Sequence, residues 1–260
     1  MKIIKVPFGG GGLGKTEGTA GSPNEILKEL EEIYLSEKFE NNPYETQEVD
    51  CPADNSGESH SNIYEHLSGI NDRFILVGGD HSITYPGFSS FSSESKDNSM
   101  IIFDAHPDLM HDTGTASHED FLRKLIEEDK LKPENLILVG LRNIHEIELN
   151  FLKEKGIKYF TSQQVYSYGI ENVCDEAMSI LRKANNFYVS IDIDVIDPGF
   201  APATNHPEPG GITTRELIYF IQRLKYIKKP FCGDIVEVDS SKDFNNITSR
   251  TAAKIIKELI

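Results

Sequence analysis

The chain is poor in cysteine and has no paired thiols. Cys51, Cys174 and Cys232 are odd in number and far apart, with no CxxC among them, which argues against a disulfide framework and a thiolate zinc site. Basic residues are scarce as well: 26 lysines and arginines against 42 acids leave a formal net charge of −16. Without a basic patch the electrostatic footprint of a nucleic-acid partner is missing. The same charge favours cationic ligands near a cleft. No apolar run is long enough to cross a bilayer, so no membrane partner is expected. The opening MKIIKVPFGGGG lacks the apolar core and small-residue cleavage site of a secretory signal, and the expected location is the cytoplasm.

What is present is the make-up of a globular protein, with 38% apolar and 26% charged residues over 260 positions, and one α/β domain spanning 1–260 is expected. Apolar β-prone runs alternate with helical patterns along the whole length, as parallel βαβ units require. Candidate strands are Lys2–Phe8, Arg73–Val77, Met100–Asp104, Leu136–Leu141, Ile157–Phe160, Phe187–Asp194 and Phe231–Val238. Several are apolar on both faces, which predicts helices on both sides of the sheet. Candidate helices are Pro23–Leu35, Ser56–Leu67, His118–Glu128, His145–Lys155, Ile170–Ala184, Thr214–Ile227 and Thr248–Leu259. Phe39–Asp54 and Asp197–Gly211 are long enough to be functional loops, and the serine-rich Ser89–Ser99 reads as a surface connection.

Three acid and histidine clusters end apolar runs: Gly78-Gly79-Asp80-His81-Ser82, Asp104-Ala105-His106-Pro107-Asp108 and Ser190-Ile191-Asp192-Ile193-Asp194-Val195-Ile196-Asp197-Pro198. The two-residue period of an extended chain would put Asp104, His106 and Asp108 on one side, and Asp192 with Asp194. Carboxylates aligned this way repel one another unless a cation sits between them. Any one cluster could cap a helix, but three at the carboxyl edge of one parallel sheet, where ligands bind in open sheets, point to a site. Carboxylates and imidazoles without thiolates suit Mn²⁺, and less decisively Fe²⁺, Zn²⁺, Co²⁺ or Ni²⁺. With Asp104 and Asp192 as bridges, His81 and Asp108 complete one ion's ligands, and His106 and Asp194 the other's. Two ions so placed could share a water and turn it into hydroxide at neutral pH.

These motifs in this order, followed by Pro202, Pro207-Glu208-Pro209-Gly210-Gly211 and Asp234-Ile235-Val236-Glu237-Val238, resemble the ureohydrolases, the arginase and agmatinase family. The resemblance spans nearly the whole chain. It implies a three-layer αβα sandwich with a mainly parallel central sheet and two Mn²⁺ held by the residues above, hydrolysing a guanidinium to urea and an amine. It further implies that Glu237 holds the guanidinium, that Asp108 handles the proton as well as metal, and that the chain assembles as a trimer or hexamer. His118 matches a loop histidine of agmatinases that contacts substrate or relays protons, with His111 a rival in the same loop. His60 and His66 look solvated and receive no role.

The substrate rests on departures between the motifs. The interval Asp108–His118 is short, as in agmatinases, and Asn143 and His145 stand where arginases present acids to an α-amino group, although Glu148 still matches one. Agmatine is therefore the expected substrate, ahead of guanidinobutyrate or L-arginine. Asn205-His206 replaces a common Gly-Thr, which makes His206 a candidate substrate contact. Rival readings are a metal-dependent amidohydrolase related to the deacetylases, a non-catalytic relative, and an NTPase, since Gly9–Thr16 fits the pattern GxxxxGK[ST]. A phosphate loop needs a helix opening at its lysine. Here helix is not expected before Ser22, and a flexible glycine turn at the surface is the plainer expectation.

Overall fold

The computed structural model describes residues 1–93, 95, 97–112 and 114–260. Among them, eight strands form one sheet: β1 Lys2–Lys5, β2 Glu45–Glu48, β3 Phe74–Val77, β4 Asn98–Phe103, β5 Leu136–Leu141, β6 Lys158–Thr161, β7 Asn186–Asp192 and β8 Phe231–Val236. Their order is β2-β1-β3-β8-β7-β4-β5-β6, with every neighbouring pair parallel.

Neighbouring side chains on each strand enter opposite cores, as the pleat requires. Ile3, Ile75, Ile101 and Ile137 lie in one apolar cluster, packed with residues of helices α1 Ser22–Glu31, α6 Ser162–Tyr168, α7 Ile170–Leu181, α8 Thr214–Leu224 and α9 Ile247–Leu259. Ile4, Leu76, Ile102 and Leu138 enter the other, with residues of α2 Ser56–Ser68, α3 Thr84–Phe91, α4 Phe121–Glu127 and α5 Glu146–Lys155. This is the expected three-layer sandwich.

The structure departs from the sequence reading in several places. Strand β2 lies inside the expected loop Phe39–Asp54 and is mostly exposed. It pairs with β1 through backbone bonds at the sheet edge, where no apolar face is demanded. Helix α3 takes in Ser89 and Ser90, both buried, so this part of Ser89–Ser99 is not a surface connection; Glu94 and Lys96 of that stretch lie outside the described residues. Helix α6 lies outside the helices expected from the sequence, although Thr161 and Gln164 form a capping box at its start. Helix α4 begins only at Phe121, leaving His118 in the turn before it.

The glycine loop is a surface turn only at Leu13, Gly14 and Lys15, which are exposed; Gly9, Gly11, Gly12 and Thr16 are buried. Gly11 is buried, and a Cβ there would meet the Ser82 Oγ at 2.1 Å. A 3-10 turn, Glu17–Gly21, follows the loop before α1, so no α-helix opens at Lys15. The phosphate-loop reading therefore fails.

Candidate metal centre and active-site cavity

Strands β3, β4, β7 and β8 occupy the middle of the sheet, and the segments leaving their carboxyl ends converge. The convergence does not come from strand alternation. Strand β4 stops at Phe103 and β7 at Asp192, so His106, Asp108 and Asp194 lie beyond them, His106 and Asp194 in tight turns. Asp104 Oδ1 accepts from the His106 amide at 2.6 Å and Asp192 Oδ1 from the Asp194 amide at 2.8 Å. These side-chain turns reverse the chain directly over the sheet. Asp108 and Glu237 adopt positive φ, 53° and 64°, a conformation rare for residues with a Cβ and concentrated at functional sites.

Five of the six expected ligands fall into two overlapping groups, with Asp192 in the first alone and Asp108 in neither. His81, Asp104 and Asp192 form one and Asp104, His106 and Asp194 the other, the donor atoms in each lying within 4.8 Å of one another. Asp104 is common to both. His81 Nδ1 faces Asp104 Oδ2 at 3.1 Å, Asp108 Oδ2 at 2.9 Å and Asp192 Oδ2 at 3.3 Å. His106 Nδ1 faces Asp194 Oδ2 at 3.0 Å and Asp104 Oδ1 at 3.5 Å.

The electrostatics demand positive charge. Burial and mutual repulsion push Asp192 well above the carboxylate range and Asp108 up to about 7, and Asp194 rises for the same reasons. Burial would raise Asp104 too, but the imidazoles of His106 and His81 beside it outweigh that and hold it low. Burial would lower both imidazoles, yet the carboxylates around them keep His81 well above its ordinary value and raise His106 to about 12. His81 Nδ1 and Asp104 Oδ2 are buried with no hydrogen-bond partner, and orphaned donors of this kind in an all-oxygen-and-nitrogen set fit divalent ions.

Four residues outside the expected site, Ser190, Asp234, Tyr188 and Thr84, form a network behind His81. Its Nε2 lies 2.9 Å from Ser190 Oγ, which itself donates to Asp234 Oδ1 at 2.6 Å. Because the hydroxyl proton is committed to Asp234, Ser190 must accept from His81 Nε2–H, leaving the Nδ1 lone pair for a metal. Tyr188 and Thr84 hydroxyls donate to the other Asp234 oxygen at 2.8 and 2.9 Å. Ser190 and Asp234 stood in the motifs, but only their meeting across β7 and β8 exposes this role. Arg142 was also unassigned. It donates to the backbone oxygens of Asp194 and Glu208, and Glu208 Oε1 accepts from Asn143 Nδ2 at 2.6 Å and lies 3.7 Å from His106 Nε2.

Beside the ligands opens a cavity of about 300 Å³, lined by His81, His106, Asp108, His118, Asp192, Asp194, His206 and Glu237 together with Lys15, Met110, Glu119, Asn143, His145 and Glu148. Glu237 is buried; its Oε1 accepts from the His81 amide at 2.8 Å while its Oε2 has no partner. His118 Nδ1 lies 3.5 Å from that Oε1. Burial would lower the His118 pKa, but Glu237, Asp108 and Asp80 raise it to about 9. The half-buried His206 ring sits 5.5 Å from His118 and 5.9 Å from His106.

His111 is exposed and absent from the lining. His60, expected to be solvated, is instead buried, its Nε2 3.1 Å from Ser82 Oγ, and His66 is half-buried beside Gln47. The three cysteines are free thiols. Among the described residues no helix is long and apolar enough to cross a membrane.

The sequence profile of the arginase family matches residues 1–260. The chain belongs to that family. It is 35% identical over 187 residues to a formimidoylglutamase of Halalkalibacterium halodurans, covering 70% of this chain and 58% of the relative. An arginase of Staphylococcus aureus is 32% identical over 202 residues, covering 72% and 67%. The chain thus spans less than two thirds of the first of these family members. The crystal structure of formimidoylglutamase from Bacillus subtilis superposes with a TM-score of 0.93 at 23% identity, covering 99% of this chain and 85% of that one, so the fold is the arginase fold.

Proposed function

We propose that the chain is a binuclear manganese hydrolase that cleaves a linear guanidino compound to urea and an amine, with agmatine, yielding putrescine, as its substrate. The observation that carries this reading is that Glu237, which lines the same cavity as the metal-ligand groups, keeps a buried Oε2 with no partner. A carboxylate so placed suits two parallel charge-assisted hydrogen bonds from a guanidinium. His81, Asp104, Asp108 and Asp192 would hold one ion, and His106, Asp194 and the two shared aspartates the other. When bound, the ion pair supplies charge neutralisation and activation of water at neutral pH.

The chain's own groups do the rest. Glu237 orients the guanidinium, and its Oε1 stays on the His81 amide, so the clamp and the metal ligand hold each other in register. His118, kept protonated by Glu237 and its acidic neighbours, limits repulsion among the carboxylates and contacts the substrate chain. Asp108 takes the proton released by the attacking water at the oxygen not turned to His81, and delivers it to the departing amine nitrogen as the water's oxygen bonds to the guanidinium carbon and the C–N bond breaks. His206 narrows the cavity beside His118.

Agmatine is favoured over L-arginine because the positions that would read an α-amino group are spent elsewhere. Glu148 accepts from the Leu109 and His145 amides with its two oxygens, Asn143 donates to Glu208, and His145 Nδ1 accepts from the Ile147 amide. The second reading is hydrolysis of formimidoylglutamate, favoured by the Halalkalibacterium relative. Residues 1–260 are taken as one catalytic unit, supported by the single sheet beneath the site. A homotrimer or hexamer is the proposed assembly, the exposed Tyr34, Phe39 and Phe244 offering apolar surface for it.

The test is to strip the protein of metal, restore Mn²⁺, Zn²⁺, Ni²⁺ or Mg²⁺ separately, and measure urea from agmatine, guanidinobutyrate and L-arginine, and formamide from formimidoylglutamate. Mn²⁺-dependent urea release, greatest from agmatine, is expected. No urea from any guanidino compound with any of the metals refutes the reading.

A further inference from the structure

The cavity mouth carries a carboxylate that the reaction does not use. Glu119 is fixed through its backbone: its carbonyl accepts from the Met110 amide at 3.0 Å and its amide donates to Ser117 Oγ at 3.3 Å. The preceding His118 amide donates to the Gly11 carbonyl at 3.1 Å, which ties the glycine loop to the same rim. Glu119 Oε1 lies 3.6 Å from His118 Nε2 and 3.6 Å from Lys15 Nζ. His118 Nε2 is buried and has no hydrogen-bond partner. One imidazole therefore separates two acids, Glu237 on its Nδ1 side and Glu119 on its Nε2 side. A short polymethylene chain held by its guanidinium at Glu237 can run along that ring and bring its far end to Glu119.

Lys15 shows what chemistry the far end has. Among the described residues it is the one lysine or arginine in the cavity lining, and its Nζ is a primary ammonium on a four-carbon stem, the same group that ends an ω-aminoalkyl guanidine. We propose that Glu119 reads the terminal ammonium of the substrate, and that Lys15 is the tethered cation that occupies this place in the free enzyme and swings aside on binding. The proposal rests on the guanidine-hydrolase reading above and names the group that selects among its substrates. Half-exposed ions 3.6 Å apart, with side-chain exposures of 57% and 39%, are weakly coupled and screened by salt, so one ammonium exchanges readily for another. A carboxylate tail would meet Glu119 with repulsion.

The experiment compares kcat/KM for agmatine with that for n-butylguanidine, which has the same carbon chain but no ammonium, on the manganese-loaded enzyme. The wild type is expected to favour agmatine. Glu119→Gln should shrink the agmatine-to-butylguanidine ratio about 2- to 5-fold, Glu119→Asp should shrink it less, and Lys15→Ala should raise it. Calorimetry should show weaker binding of 1,4-diaminobutane to Glu119→Gln in step with the lost ratio. An unchanged ratio in Glu119→Gln, with thermal melting like the wild type, overturns the proposal while leaving guanidine hydrolysis standing. So does a wild-type preference for guanidinobutyrate that Lys15→Ala abolishes, since Lys15 would then be reading a carboxylate. Urea from neither agmatine nor butylguanidine overturns the functional reading and this proposal with it.

Discussion

Glu237→Gln tests the proposed clamp with little change of shape. Glu237 Oε1 accepts from the His81 amide at 2.8 Å, and Oε2 is the buried atom left for the substrate. In the variant the amide oxygen must stay on the His81 N–H, so the –NH₂ takes the Oε2 position and turns donors toward a guanidinium that has only donors to offer. Two charge-assisted hydrogen bonds of about 1.5–3 kcal/mol each are at stake. The ions and the remaining contacts still hold part of the substrate, so a net loss of about 3–4 kcal/mol is expected, or about 10²- to 10³-fold in kcat/KM. The metal ligands are untouched, and manganese content should equal that of the wild type. His118 provides a second readout: Glu237 is the first of the acids that raise its pKa to about 9 against the pull of burial, so its NMR titration should fall toward the ordinary imidazole value. A kcat/KM within about threefold of wild type, with full manganese, would refute the clamp.

Other outcomes follow from the same geometry. Asp104→Asn or Asp192→Asn, at the proposed bridges, should lose bound manganese and activity together; two ions per chain by elemental analysis in either variant would contradict the assignment. Ser190→Ala removes the acceptor for His81 Nε2–H and should weaken metal affinity about 10- to 100-fold, read by competition with a chelating dye, whereas an unchanged affinity would show that the ring is oriented by packing alone. His60 should make the fold acid-sensitive. Burial lowers its pKa from 6.5 to about 4, so the stability tied to its neutral form is fully present above pH 6.5 and is lost as pH falls toward 4, by up to about 3 kcal/mol. Urea melts of metal-free wild type and His60→Gln should diverge over that window, and parallel pH profiles would remove His60 from the account.

Much of the fold was readable because burial leaves a period in the residues. Strands such as Phe74–Val77 and Leu136–Leu141 are apolar on both faces because helices cover both, and the boundaries of α5, α7 and α9 lie close to those expected. Strand β2 was not readable, since Glu45-Thr46-Gln47-Glu48 carries no burial signal and is held by the backbone of β1. His60 misled for the opposite reason: a polar residue on an amphipathic helix looks solvated until the helix is docked and its ring meets Ser82. Glu148 matched an acid of the family in sequence, yet its two oxygens cap backbone amides, a use set by a loop folding back onto a helix start.

The residues alone determined the chemistry available: acids and imidazoles at strand ends and no thiolate pair, while the part given to Glu237 late in the chain came from the resemblance to a family. Ligand types are a property of side chains, and strand ends are marked by where apolar runs stop. Only the tertiary structure decided how those groups meet. The sheet order brings β3, β8, β7 and β4 side by side, so His81 faces Asp104, Asp108 and Asp192 although the chain separates them widely. It also puts Ser190 and Asp234 behind His81, Arg142 under the Glu208 loop, and Lys15 against Glu119 at the mouth. Such contacts depend on distances between residues remote in sequence, and no local pattern encodes them.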